Sequence, residues 1–342
     1  MRFMKSRIAI TLILFLIAAG GGAALWLSNY LDRPLNIEKQ GYLIEIASGT
    51  ALRSVANQLA TDGILSWPRL FSTYGRLSGN AERIKAGEYE LSAGITPRAL
   101  LELLVAGRVK LHTITIVEGW TVAQLLQAIQ KHPAISQTLK LESTEALSRA
   151  LELEDQHPEG LFFPDTYSFA RGTTDRELLI RAHDLMQDRL TAAWSTRQPD
   201  LPLTDSYQAL ILASIVERET ALDSERPQIA GVFSRRLDRR MRLQTDPTVI
   251  YGLGEDFDGN LTRRHLETDS PYNTYTRAGL PPTPIALPGE SSLLAAVNPD
   301  NGDSLYFVAT GLEDGSHHFT ATLDEHNAAV QKYLARLRER NR

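Results

Sequence analysis

Eight apolar or small residues, Ala209 to Val216, lead directly into Glu217. A helix that is apolar on nearly every side is a buried helix, so a carboxylate at its end sits against apolar surface. Such a setting disfavours ionisation and raises the pKa, which a general acid needs in order to hold its proton near neutral pH. Glu219 and Glu225 are close by but less constrained. Position i+2 points to another face of the helix, and Glu225 falls in the polar stretch Asp223–Arg226. The plainer alternative makes Glu217 an ordinary helix-end carboxylate paired with Arg218 or Arg235. A second cluster, Gln244, Thr245 and Asp246, puts amide, hydroxyl and carboxylate groups on one short segment, as a sugar-binding wall would. Its alternative is a turn started by Asp246-Pro247 with Thr245 as a cap. A third, Tyr272-Asn273-Thr274-Tyr275, combines rings that stack on sugar faces with an amide that bonds hydroxyl or N-acetyl groups. Otherwise it is a loop with two packed tyrosines.

Other chemistries find little support. There is no cysteine, which excludes thiol nucleophiles, disulfides and Cys-ligated zinc. His157, His265 and His326 have no zinc spacing, and the adjacent His317 and His318 do not suit two ligands of one metal. No phosphate-binding glycine loop or Gly-x-Ser-x-Gly elbow occurs. No metal or cofactor is therefore expected. A net charge of -5 carries no basic excess for nucleic acid.

The elements that must position these residues follow from periodicity. Ile8 to Leu27 holds twenty residues without a charge, enough at about 1.5 Å per residue to cross a hydrocarbon core of roughly 30 Å. Arg2, Lys5 and Arg7 precede it, so the positive-inside rule puts the N-terminus in the cytoplasm. Trp26 and Tyr30 stand where interfacial aromatics stand. A cleaved signal peptide is the rival, given the small residues Ala18 to Ala24, but Leu25-Trp26-Leu27 prolongs the apolar run. A linker covers 28–39. Tyr42–Ile46 alternates like a strand and is followed by a helical pattern through Leu52, Val55, Ala56 and Leu59. Ile114–Ile116 and Val122–Ile129 repeat that strand–turn–helix unit, and Thr96-Pro97 to Gly107 reads as a capped helix. Residues 40–132 thus form a small α+β module. Beyond it the sequence predicts a polar helix from Ala134 to about Asp155, helices over Arg176–Trp194 and Asp205–Glu219, and a turn-dominated stretch from Arg242 to Pro288. Strands at Leu305–Ala309 and His318–Thr320 and a C-terminal helix from Leu323 complete an α+β chain.

Four segments, Glu159–Tyr167, Ser214–Thr220, Arg242–Tyr251 and Tyr272–Pro282, closely resemble the YceG-like family of endolytic murein transglycosylases. The resemblance runs from the apolar N-terminal segment nearly to the C-terminus. It implies a single-pass inner-membrane protein with a tail (1–7), a transmembrane helix (8–27), a LysM-like module (40–132) and a mixed α/β catalytic domain (133–342) outside the membrane. It further implies that Glu217 is the catalytic acid/base, that glycan strands of peptidoglycan are the substrate and that a peptidoglycan synthase is a neighbour. Gln244, Thr245, Asp246, Tyr272, Asn273 and Tyr275 would then hold the saccharide. A non-catalytic peptidoglycan-binding anchor and a muramidase-type hydrolase, with Asp246 as second carboxylate, stay open at this point.

Overall fold

The computed structural model describes residues 2–139, 144–153 and 156–340. Its contacts divide the chain into two compact units, Met1–His112 with Phe169–Gly172, and Thr113–Ser168 with Thr173–Arg342.

The first unit opens with α1 (Arg2–Asp32), a continuous helix whose apolar stretch is exposed, Phe15 at 68%. Within it, Ile10–Asp32 is long and apolar enough to cross a membrane. The linker expected from Ser28 starts only after Asp32. The last turn of α1 is held by packing: Leu31 is buried and Asp32 forms an ion pair with Arg98 at 2.8 Å. β1 (Tyr42–Ile46) follows, then α2 (Leu52–Thr61), α3 (Pro68–Leu77), β2 (Gly87–Leu91) and α4 (Pro97–Ala106). β1 and β2 pair antiparallel, with Ile44 opposite Tyr89 and Ile46 opposite Gly87. Alternation sends Ile44 and Ile46 inward onto Val55, Leu59, Phe71, Leu100 and Leu104. Each such side chain contributes roughly 1.5–3 kcal/mol of burial. Gly87 is required by space, since a Cβ there would lie 2.4 Å from Val109 Cγ1. α4 has the caps its sequence predicts: Thr96 Oγ1 accepts from Ala99 N at 3.2 Å, and Gly107 ends the helix at φ 68°.

β3 (Leu111–Thr115) leads into α5 (Val122–Lys131), α6 (Thr144–Leu151), β4 (Thr166–Ala170), α7 (Asp175–Ser195), α8 (Ser206–Glu219), α9 (Arg226–Asp238), α10 (Asp246–Leu253), α11 (Arg263–Glu267), α12 (Glu290–Val297), β5 (Tyr306–Ala309), β6 (His317–Thr320) and α13 (Leu323–Arg340). β3 pairs with β4, and β5 pairs antiparallel with β6. α8 is the centre of the second unit. It packs against α7, α9, α10 and α12, so Ala209 to Val216 are all buried, as an all-round apolar helix demands. Asp205 caps its start by accepting from Gln208 N at 2.9 Å.

Three further sequence expectations change. The compact first unit closes at His112 rather than near 132, because the second strand–turn–helix bonds elsewhere: Gly119 N donates to Leu287 O, and Val122 N donates to Glu159. Among the described residues, helix over 134–155 is confined to α6. Ser136 instead bridges Thr174, while residues 140–143 and 154–155 lie outside the described residues. The stretch from Arg242 to Pro288 holds two short helices, α10 and α11. Pro247 opens α10 from its first turn, where a missing N–H costs nothing.

Candidate active site

The end of α8 sends three consecutive side chains to three different surroundings. Successive helical residues are rotated by about 100°, so Glu217, Arg218 and Glu219 cannot share a face.

Glu217 points into the protein. Its side chain is 5% exposed and meets Arg226 of α9 in a two-pronged ion pair, Oε2 to Nη1 at 3.1 Å and Oε1 to Nη2 at 3.2 Å. Gly289 N and Ser292 Oγ, at the start of α12, donate to Oε2 at 2.9 and 2.8 Å. Both carboxylate oxygens are thus engaged by fixed donors. The partner is Arg226, whereas Arg235 is taken by Asp300 and Arg218 by Gly119 O.

Glu219 points into an open cleft of about 590 Å³. The same cleft is lined by Gln244 and Asp246 at the start of α10, Tyr275, Arg236 of α9, Tyr306 of β5 and His317 of β6. Part of Glu219 faces this space, but its carboxyl is desolvated and pushed up to about 7. Burial is the main cause, and the Asp246 charge adds to it. The Thr245 hydroxyl, which donates to Oε1, and the charges of His317 and Arg236 act the other way.

The walls are tied down. Tyr275 Oη donates to Asp246 Oδ1 at 2.5 Å, and Gln244 N donates to Thr274 O. Gln244 adopts φ 52°, a left-handed conformation uncommon for a residue with a Cβ. Arg236 runs under the cleft, donating Nε to Leu305 O and Nη1 to Leu243 O at 2.7 and 2.8 Å, with its guanidinium over the Tyr306 ring. His317 Nδ1 hydrogen-bonds Glu225 Oε2 at 2.7 Å, so the ring is oriented by a buried carboxylate.

Of the sequence-predicted binding residues, Gln244, Thr245, Asp246 and Tyr275 gather around Glu219. Tyr272 does not. It lines a second cavity of about 990 Å³ with Tyr251, Arg218 and Glu159, and its hydroxyl meets Thr283 Oγ1 at 2.8 Å. Asn273 is fully buried. It staples its own loop, donating to the carbonyls of His265, Leu266 and Thr268 and accepting from Tyr275 N and Thr276 N, which exhausts its amide. Sequence reasoning missed Arg236, Tyr306 and His317, which come from elements far apart in the chain. Only the unusual doublets Arg235-Arg236 and His317-His318 offered a hint. It also missed Glu159, a second desolvated carboxyl at about 7, which accepts from Val122 N and Tyr251 Oη at 3.0 and 3.1 Å.

A raised carboxyl lining a polar cleft with tyrosine and amide walls can donate and retrieve a proton. The model of the YceG-like family matches residues 44–332. The endolytic murein transglycosylase of Bacillus subtilis (strain 168) is 33% identical over 337 residues, covering 94% of this chain and 92% of its own. That of Streptococcus pneumoniae serotype 2 (strain D39) is 27% identical over 370 residues, covering 95% of this chain, which spans 65% of that protein's length. A crystal structure of a yceG-like protein from Listeria monocytogenes matches with a TM-score of 0.53 at 30% identity, covering 85% of this chain and 99% of that one. The chain therefore belongs to the YceG-like family.

Proposed function

We propose that this chain is an endolytic murein transglycosylase, a carbon–oxygen lyase that cuts peptidoglycan glycan strands, and that Glu219 rather than Glu217 cycles the proton. The observation that carries the assignment is the contrast between neighbours. Glu217 is held ionised against Arg226, with three donors on Oε2 and one on Oε1, a setting that favours the carboxylate over the acid. Glu219 faces the cleft with its carboxyl raised to about 7. Protonated Glu219 gives its proton to the glycosidic oxygen between MurNAc and GlcNAc, and the C1–O bond breaks. The resulting carboxylate then takes the proton of the C6 hydroxyl of the same MurNAc as O6 bonds to C1. The product is a 1,6-anhydro ring, no water is consumed and Glu219 is regenerated protonated. Because the nucleophile belongs to the substrate, one carboxyl suffices where a hydrolase commonly pairs two. Gln244, Asp246 and Tyr275 would orient the sugar, and His317 and Arg236 would temper the charge that appears on Glu219.

The first unit is read as the LysM-like module, on the strength of its two-stranded sheet covered by α2–α4. α1 is read as a single inner-membrane anchor, with Arg2, Lys5 and Arg7 cytoplasmic and both compact units periplasmic.

The test is product analysis by mass spectrometry on purified sacculi. Glu219→Gln should lower cleavage by about 10²–10⁴-fold with the fold intact, and wild-type fragments should end in anhydroMurNAc, one water lighter than hydrolysed ends. Activity surviving in Glu219→Gln would return the role to Glu217. Reducing ends would make the enzyme a hydrolase and bring Asp246 forward.

A further inference from the structure

The first compact unit carries an aromatic cluster that the proposed chemistry does not use. Trp67 is 64% exposed, yet its ring packs edge-on against Trp26 of α1 at 6.1 Å, and Trp26 stacks on Tyr30 at 6.5 Å. Tyr30 Oη donates to Ser66 O at 2.7 Å, which ties the Ser66–Trp67 loop to α1. The loop is built to project its ring. Trp67 stands at φ 62° and ψ 58°, left-handed at the N-cap of α3, with Pro68 directly behind it. An L-residue adopts that conformation only against a steric penalty, so the surrounding packing holds it there. Nothing in the hydrophobic core of the unit needs this ring, since Trp67 lies outside it.

Depth along α1 supplies the rest. Trp26 is the penultimate residue of the uncharged Ile8–Leu27 run, so in an α1 that spans a bilayer it sits at the boundary between hydrocarbon and headgroups. Tryptophan and tyrosine are enriched at that depth because one edge is apolar and the other donates a hydrogen bond. A ring 6.1 Å from Trp26 cannot be far from the same level. The end of α1 is no loose tether: Leu31 is buried in the unit, Asp32 pairs with Arg98, and Leu35 N donates to Ile95 O at 2.8 Å. Beside the cluster a recess of about 470 Å³ is lined by Asn29, Arg33 and Ser66 together with the three aromatic residues, placing a cation and amide and hydroxyl groups where lipid phosphates lie.

We infer that Trp67, with Trp26 and Tyr30, forms an interfacial belt that seats the first unit directly on the phospholipid headgroup layer, so that the module is docked to the bilayer surface rather than swinging from a flexible stalk. The inference rests on α1 being a retained membrane anchor.

The absence of cysteine allows unique labelling of the full-length chain. Trp26→Cys and Trp67→Cys would each carry a nitroxide, and the proteins would be reconstituted in phosphatidylglycerol–phosphatidylethanolamine vesicles. Collision with oxygen and with a water-soluble nickel chelate reports depth. The expected result is an oxygen-to-chelate ratio raised at position 67 to a value close to that at position 26. A water-like ratio at 67 beside a lipid-like ratio at 26 overturns the docking and leaves the anchor standing. Water-like ratios at both positions overturn the anchor, and the docking with it. Quenching of Trp67 by bromine-labelled lipid in a chain with Trp26, Trp120 and Trp194 replaced by Phe gives a second reading without a label: quenching is expected, and its absence counts against the docking.

Discussion

Replacing Glu219 by Gln should make the folded chain more stable above neutral pH while removing activity. The carboxyl lies at about 7 in the folded protein against an ordinary 4.5. At about 1.4 kcal/mol per pH unit, ionising it in the folded chain costs on the order of 3 kcal/mol more than in the unfolded chain. The sign follows from proton counting. Between pH 4.5 and about 7 the folded chain binds more protons than the unfolded one, so this group makes stability fall as pH rises through that window. Below 4.5 both states are protonated and the penalty vanishes; above about 7 both are ionised and it is fully present. Gln keeps the shape, can still accept from the Thr245 hydroxyl and never ionises. Urea unfolding of the full-length protein in detergent, run at pH 4 and pH 8, should show wild type and Glu219→Gln nearly equal in acid. In base the variant should be more stable, by up to on the order of 3 kcal/mol. Loss of stability in Glu219→Gln by the same amount at both pH values would refute the idea of a desolvated, proton-holding carboxyl.

The same group should set the alkaline limb of the reaction: kcat/KM on glycan strands falls above about pH 7 as Glu219 loses its proton. Asp246→Asn, which deletes a like charge, should move that limb to lower pH, and Thr245→Val, which deletes a donor to the ionised form, should move it higher; pH–rate profiles of the two variants moving the same way would contradict the assignment. Arg226→Met leaves Glu217 buried without its partner and should cost about 3–5 kcal/mol in denaturant titration, with Arg226→Lys a poor rescue because one ammonium cannot replace a two-pronged guanidinium. Gly160→Ala should lower the thermal midpoint, since Gly160 sits at φ 82° and a Cβ there would come within 2.5 Å of Pro284; an unchanged midpoint would mean that the Glu159 turn can relax.

Much of the scaffold could be read from periodicity and capping. The strand at Tyr42–Ile46, the Thr96–Gly107 caps, the buried α8 and the β5–β6 pair are local patterns, and local patterns survive translation into structure because their causes are local. The turn-rich stretch after Arg242 was less legible. Its short helices depend on Thr245 N bonding to Thr274 Oγ1 and on Asn273 tying carbonyls five to eight residues back, which no window of sequence reveals. The candidate site divided in the same way. Gln244, Asp246 and Tyr275, singled out by residue type, line the cleft beside Glu219. Tyr272 and Asn273 share that type and that segment, yet one turns to another cavity and the other is spent inside its loop.

The sequence by itself determined that a carboxylate ends a helix buried on all sides, that an uncharged run long enough to span a bilayer precedes two folded units, and that four segments carry the family's motifs. It favours Glu217 of Glu217-Arg218-Glu219, whereas the proposal for Glu219 rests on tertiary structure. Both follow the same apolar run, and helical rotation says only that they face different ways. The proposed choice of Glu219 rests on what each face meets. Arg226 and Ser292, distant by 9 and 75 residues, close around Glu217, while the walls named around Glu219 come from 17 to 98 residues further along the chain and leave it desolvated but open to the cleft.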